Sequence, residues 1–270
     1  MQQLPFRSTH IAYSDNRADG PPILLLHGFC EDSYVWKEVR PELEAREYRV
    51  VAIDLPGFGA SGVLSNARID DYADAVEAVV AHLGLPPFLF IGHSMGGYTG
   101  LNYLRRFPHH LLGLSLLHSH PWPDSETRKQ GRLRGIEDLR STGHVLFVKQ
   151  LIPRFFAPAF AKNQPFAIDA LVHRASQGRP EGMIEALSAM MHRADESDTL
   201  RQSRVPIQFI LGKKDSLFDW DDMLAQTHLP SIADIQILEN AGHMGMLEAP
   251  RYVRQYLSRF AGFCSSRSGT

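Results

Sequence analysis

The stretch Phe88-Leu89-Phe90-Ile91-Gly92-His93-Ser94-Met95-Gly96-Gly97-Tyr98 constrains this chain more than any other. An apolar run stops at a glycine, a serine follows two residues later, and a glycine pair leads into a helix-compatible segment over 98–107. This predicts strand, sharp turn and helix, with Gly92-x-Ser94-x-Gly96 at the turn. A serine there is held in a strained backbone conformation with its hydroxyl exposed. Side chains in place of the flanking glycines would collide with the neighbouring strand or helix. The helix that opens at Ser94 aims its free amides at whatever forms on the serine. The plain alternative is a turn whose serine is incidental, and the rest of the chain decides between the two.

Residues 8–13 alternate like a strand and run into the turn Gly20-Pro21-Pro22. The segments 23–26, 49–55, 88–91, 111–117, 206–211 and 235–238 are strand-sized apolar runs, most of them continuous, as expected of strands covered on both faces. Helical patterns separate them. Ser33 is placed to cap a helix reaching about residue 46. Residues 69–83 put Tyr72, Val76, Val79, Val80 and Leu83 at helical spacing before Gly84 ends the pattern. Further helices are expected at 219–228 and 248–260. Alternating strands and helices imply an α/β fold with a doubly wound, mainly parallel sheet, whose ligands sit at the carboxyl ends of the strands.

From about residue 122 to 204 the strand-like runs disappear. Helical patterns at 126–140, 145–152 and 182–192 are separated by Pro153, Pro158, Pro165 and Gly178-Arg179-Pro180. The expected organisation is a core of residues 1–119 and 205–264, an inserted helical cap over 120–204, and a disordered tail at 265–270.

Composition removes several classes of function. The 270 residues are 44% hydrophobic and 21% charged with a net charge near −2, an ordinary globular balance. No basic stripe suggests nucleic acid. Cys30 and Cys264 lie far apart without metal-ligand spacing, so free thiols in a reducing compartment are expected. Residues 1–10 hold no apolar signal-type run and no stretch approaches a membrane span, which points to a cytoplasmic protein. Gly57-Phe58-Gly59-Ala60-Ser61-Gly62 formally matches a dinucleotide-binding string after a strand. No helix pattern opens on Gly62 and Glu77 falls mid-helix, so a structural turn is the reading.

A serine hydroxyl needs a base to take its proton, and the base needs an orienting acid. His243 follows a small-residue turn after the last strand, just before the final helix. Asp215 lies just past the strand at 206–211, with Asp219, Asp221 and Asp222 as nearby competitors. The end of the strand at 111–117 offers His118, Ser119 and His120 but no carboxylate before Asp124. The order Ser94, Asp215, His243 is that expected of a nucleophile-elbow architecture. Two backbone N–H groups would form the oxyanion hole: Met95, directly after the serine, and Phe29, in the loop after residues 23–26. His27 and Gly28 brace that loop, and an acid–base role for His27 is the weaker reading.

These motifs resemble the α/β-hydrolase superfamily, in the family with a helical cap. The resemblance rests on Leu26-His27-Gly28-Phe29, Asp54-Leu55-Pro56-Gly57-Phe58-Gly59-x-Ser61, Gly92-His93-Ser94-Met95-Gly96-Gly97, Gly212-x-x-Asp215 and Gly242-His243, in family order from about residue 23 to 250. It implies an eight-stranded central sheet, a lid over about 120–200 and a structural Asp54. Haloalkane dehalogenases and epoxide hydrolases of this superfamily carry aspartate, and dienelactone-type hydrolases cysteine, where this chain has Ser94. Cofactor-free perhydrolases usually have tryptophan where Phe29 stands.

The expected chemistry is hydrolysis of small to medium, fairly apolar carboxylic esters through an acyl-enzyme, without metal or organic cofactor. The partner is a small ester-like molecule and the protein a monomer or homodimer. His27, Cys30, His93, Trp122, Phe155 and Met244 are expected to line the pocket. Phe147, Leu151, Phe156, Phe160 and Phe166 add aromatic and apolar bulk from the lid, for substrate or for packing. Arg128, Arg132, Arg134 and Arg140 belong to a solvated helix face or bind an acid group. The same triad serves enol-lactone hydrolysis, C–C bond hydrolysis and a menaquinone-pathway lyase step, the last needing lid arginines that face the pocket. A hydrolase-like ligand receptor is the alternative outside enzymes.

Overall fold

Runs of Leu, Ile, Val and Phe that water solvates poorly on either face assemble the centre of the computed structural model, which describes residues 1–267. The strands are β1 (Gln2–Phe6), β2 (Thr9–Asp15), β3 (Pro22–Leu26), β4 (Arg49–Asp54), β5 (Phe88–His93), β6 (Leu111–Leu117), β7 (Ile207–Gly212) and β8 (Ala233–Leu238). They form one eight-stranded sheet in the order β1-β2-β4-β3-β5-β6-β7-β8. Pairing is antiparallel between β1 and β2 and between β2 and β4, and parallel from there on. β3, β5 and β7 are buried along their whole length.

The first strand is the one the residues alone did not announce. β1 alternates between half-buried and exposed positions and carries Pro5, a residue tolerated only where a strand has a free edge. β8, at the opposite edge, shows the same alternation.

The helices around the sheet are α1 (Arg40–Ala45), α2 (Ile69–Leu83) and α3 (Met95–Arg106). Between β6 and β7 lie α4 (Glu126–Ser141), α5 (His144–Leu151), α6 (Pro158–Asn163), α7 (Pro165–Ala175), α8 (Pro180–Met191) and α9 (Ser197–Arg201), with no strand among the described residues. α10 (Trp220–Ala225), α11 (Gly245–Glu248) and α12 (Pro250–Arg267) complete the chain. None of the described helices is long and apolar enough to cross a membrane.

Two local expectations are corrected. The helix expected from Ser33 to about residue 46 is instead a 3-10 turn over Ser33–Glu38 followed by α1. Asp32, not Ser33, caps it, accepting from the Tyr34 N–H. Pro41 cannot continue a hydrogen-bonded helix and so restarts one at its first turn. At the other end α12 runs through residues 265–267, which were expected in the disordered tail; the remaining residues of that tail, 268–270, lie outside the described residues.

The inserted helices dock on the core through close backbone approach and are braced among themselves by buried charge. Gly57, at φ +90°, faces Gly182 of α8 so closely that a Cβ on Gly182 would lie 2.2 Å from the Gly57 oxygen. Gly57 N–H also donates to Gly62 O at 2.9 Å, closing the glycine string into a tight turn. Asp124, 0% exposed in its side chain, accepts from Arg193 Nη1 at 2.6 Å and from Arg132. Burial pushes the Asp124 carboxyl up, but the two guanidinium groups outweigh it and hold it below its ordinary range. Arg128 donates to Leu217 O and lies 4.7 Å over the Phe218 ring. Of the four α4 arginines, Arg128 therefore ties the insertion to the core and Arg132 ties the insertion to itself, while Arg134 and Arg140 are exposed.

Candidate active site

The parallel register brings the loops that follow β3 to β8 to one end of the sheet. β5 lies between β3 and β6, with Gly92 beside Leu26 on one side and Leu116 on the other. At that point the chain reverses into α3. A Cβ on Gly92 would lie 2.5 Å from Gly96 O, and one on Gly96 2.5 Å from Leu26 O, so both positions must be glycine for the turn to close. Ser94 takes φ 50° and ψ −112°, a conformation that costs a non-glycine residue of order 1–3 kcal/mol. The strain is held by its neighbours: Ser94 N–H donates to Leu117 O at 2.9 Å, and Ser94 O accepts from Ser119 Oγ at 2.8 Å. Ser94 is half-buried at the head of α3.

His243, in the loop after β8, donates from Nδ1 to Asp215 Oδ2 at 2.7 Å, across from the loop after β7. That bond places the other proton-accepting nitrogen, Nε2, on the far side of the ring. The ring packs against His93, Phe218 and Phe155 at centroid distances of 4.9, 5.3 and 5.6 Å. Among the described residues no hydrogen bond joins the Ser94 hydroxyl to His243. Burial pushes the Asp215 carboxyl up, yet the charge and hydrogen bond of His243 and the nearby His118 prevail and hold it below its ordinary range. The competing carboxylates are elsewhere: Asp219 caps α10 through the Asp221 N–H, and Asp221 and Asp222 are exposed.

A second histidine shares Asp215. His118, at the end of β6, is fully buried at φ 47° and places Nδ1 3.7 Å from Asp215 Oδ2. Its Nε2 accepts from the Gly245 N–H at 3.2 Å, so its proton sits on Nδ1. Burial drives its pKa well below the ordinary value, more than the pull of Asp215 can restore, and the ring is neutral. His118, Asp215 and His243 come within metal-ligand reach of one another. The nitrogen that His118 turns toward Asp215 carries a proton, however, and offers no lone pair to a cation.

The two amides expected to form the oxyanion hole are not engaged elsewhere. Among the described residues neither Phe29 N–H nor Met95 N–H has a hydrogen-bond partner. The loop that carries Phe29 is fixed by two buried side chains. His27 donates from Nδ1 to Gly28 O at 2.7 Å and accepts at Nε2 from Leu55 N–H at 2.9 Å. Glu31 Oε2 accepts from Gly28 N–H at 2.8 Å and lies 3.0 Å from His93 Nδ1. His93 Nε2 in turn donates to His243 O at 2.9 Å. The loop that carries His243 is also tied to the insertion. His243 N–H donates to Phe155 O at 2.7 Å, while Glu248 accepts from Gly242, Met244 and Ala157 N–H groups at 2.9, 3.1 and 2.8 Å.

Several expected pocket residues are supports instead. His27, His93 and Met244 have no exposed surface, and Cys30 is 3% exposed. They lie beneath the site because polar backbone groups and packing claim them first. Trp122 stacks on His120 at 5.6 Å, and of the expected set His93 and Phe155 contact the His243 ring. Glu31, His118 and Phe218 were not singled out in the sequence as site residues. Each is a loop residue whose partners come from other strands, and only the pattern His27-Gly28-x-x-Glu31, a carboxylate behind a glycine turn, carried any signal.

Residues 21–250 match the model of the family described as alpha/beta hydrolase fold. A dihydrolipoyllysine-residue acetyltransferase component of the acetoin cleaving system of Pseudomonas putida is 30% identical over 89% of the chain, which spans 63% of that relative's length. A 2-succinyl-6-hydroxy-2,4-cyclohexadiene-1-carboxylate synthase of Enterobacter sp. (strain 638) is 26% identical over 88% of this chain and 91% of its own. Among solved structures, a thermophilic esterase from Thermogutta terrifontis superposes with a TM-score of 0.89 at 30% identity, covering 95% of this chain and 94% of the other.

Proposed function

Because the chain belongs to the alpha/beta hydrolase fold family, we propose that it hydrolyses carboxylic esters with Ser94 as nucleophile. The observation that carries this reading is the 2.7 Å bond from His243 Nδ1 to Asp215, made at the strand ends beside a strained serine turn. Ser94 Oγ attacks the ester carbonyl as His243 Nε2 takes its proton. The Phe29 and Met95 amides hold the oxyanion. His243 then protonates the leaving alcohol, water attacks the acyl-serine with His243 again as base, and the carboxylic acid leaves. Asp215 holds the imidazole tautomer and stabilises its charged form.

Small to medium, fairly apolar substrates fit the surroundings. Phe29 meets Phe58 and the cap's Phe147 edge-on at 6.0 and 6.3 Å. The lyase reading needs lid arginines turned to the pocket, whereas Arg132 is bound to Asp124 and Arg128 to Leu217 O. The test is turnover of p-nitrophenyl acetate, butyrate and octanoate by wild type and Ser94→Ala, with a fluorophosphonate label in parallel. A fall of about 10⁴-fold or more with loss of label is expected for the variant. Full activity in Ser94→Ala would overturn the mechanism, and labelling without ester turnover would move the substrate to lactone or C–C chemistry.

A further inference from the structure

We propose that Glu31 and His93 form a buried carboxylate–imidazolium pair that positions the oxyanion loop and the base loop on the nucleophile elbow. The inference rests on the serine-hydrolase reading for its catalytic consequence, but not for its chemistry. The side chains are 1% and 0% exposed, and their contact is 3.0 Å. Two hydrogen bonds and one chain link radiate from it. Glu31 Oε2 receives Gly28 N–H, one residue before Phe29. His93 immediately precedes Ser94 in the chain. His93 Nε2 faces His243 O, the carbonyl of the base itself.

Proton counting narrows the charge state. A carbonyl oxygen only accepts, so His93 Nε2 carries a proton. Glu31 Oε2 already accepts from Gly28 and lies within hydrogen-bond distance of His93 Nδ1, so one proton lies between the two, and in the ionised pair it sits on the ring. The surroundings agree. Burial opposes both charges, but their mutual attraction prevails, lowering Glu31 and raising His93 from their ordinary values. His27 and Cys30 flank Glu31, while His118, His243 and Asp215 face His93. Cys30 is pushed well up by burial and by Glu31, and His118 is neutral, so neither competes for the pair's charge.

The arrangement is hard to replace. Glutamine has one acceptor and one donor, so at the Oε2 position it serves Gly28 N–H or an unprotonated His93 Nδ1, never both. The oxyanion loop or the base loop must then shift, and a misplacement near 1 Å is enough to slow the chemical step about 100-fold.

Two measurements test this. Nitrogen-15 NMR of the wild-type imidazoles at pH 7 should show both nitrogens of His93 protonated; an unprotonated Nδ1 would overturn the charged pair. In Glu31→Gln, kcat for p-nitrophenyl butyrate and the fluorophosphonate labelling rate should fall about 100-fold with KM within about threefold, in a protein whose near-ultraviolet circular dichroism is retained. A kcat within threefold of wild type would overturn the positioning role. Should Glu31→Gln not fold, Glu31→Asp takes its place under the same criteria. The NMR result needs neither a variant nor turnover, so a wild type that fails to cleave esters refutes the proposed reaction and leaves the pair to be judged separately.

Discussion

His118 and His243 converge on one carboxylate oxygen: Asp215 Oδ2 lies 2.7 Å from His243 Nδ1 and 3.7 Å from His118 Nδ1. The centroids of the two rings are 5.6 Å apart. Only the nearer one makes a hydrogen bond. The other contributes a fixed N–H dipole, because the Gly245 amide dictates its tautomer.

Replacing His118 should separate these effects. In His118→Phe the Gly245 N–H loses its acceptor in a buried site, which costs about 1–3 kcal/mol of stability. We expect a tenfold order of loss in kcat with little change in KM, since Asp215 is less well held while the pocket is untouched; roughly 1.4 kcal/mol of transition-state stabilisation corresponds to that loss. His118→Asn, which tolerates the left-handed backbone and keeps an acceptor, should be milder in both respects. Urea denaturation and steady-state kinetics check both, and equal damage from the two variants would contradict the account.

The glycine contact between core and cap predicts a second outcome. Gly182→Ala places a methyl 2.2 Å from the Gly57 oxygen, against backbone that cannot rotate away. The expected result is a loss of about 1–3 kcal/mol, the range for forced overpacking. The triad is not touched, so hydrolysis of p-nitrophenyl acetate should persist while the preference among longer acyl chains changes. A chain-length profile identical to wild type would mean that the docking of α8 does not shape the pocket.

The pair formed by Glu31 and His93 also predicts how stability depends on pH. Glu31 is held below its ordinary value of 4.5, so its contribution is complete above 4.5 and lost as pH falls through the lowered pKa. His93 is held above its ordinary 6.5, so its contribution is complete below 6.5 and lost as pH rises through the raised pKa. The stability difference between wild type and Glu31→Gln should therefore be widest between pH 4.5 and 6.5 and narrow on either side. Urea midpoints over pH 4 to 9, roughly the span of ordinary carboxyl and imidazole titration, give the curve. A difference that grows steadily above pH 7 would be inconsistent with an ionised pair.

The parts of this site that could be read from sequence are those with a local signature. Ser94 sits between glycines that the turn geometry demands, and parallel strands buried on both faces write themselves as apolar runs. Asp215 and His243 were legible because each follows directly on a strand end, which is where an α/β sheet gathers its ligands. Glu31 and His118 have no comparable mark. Glu31 looks like any polar residue in a turn until β3 and β5 lie side by side, and His118 gains its meaning from Asp215 and Gly245, far along the chain. β1 was hidden for a different reason: an edge strand needs only half of its side chains to be apolar, and Pro5 argues locally against a strand. The arginines of α4 show the same limit, since a cation on a helix reads as solvated until its carboxylate or carbonyl partner folds onto it.

The bond from His243 N–H to Phe155 O has a bearing on how such proteins exchange parts. Caps in an architecture of this kind invite description as modules, to be cut out between β6 and β7 and replaced. Here the short segment 152–157 supplies a backbone carbonyl to His243 and an amide to Glu248, so by its bonding it belongs to the floor under His243 although it is encoded inside the insertion. A recombinant joined at residues 120 and 204 would inherit a foreign floor under its own histidine. Splicing that leaves 152–157 native divides the cap in two, and only the helices on either side of that strip are free to be traded.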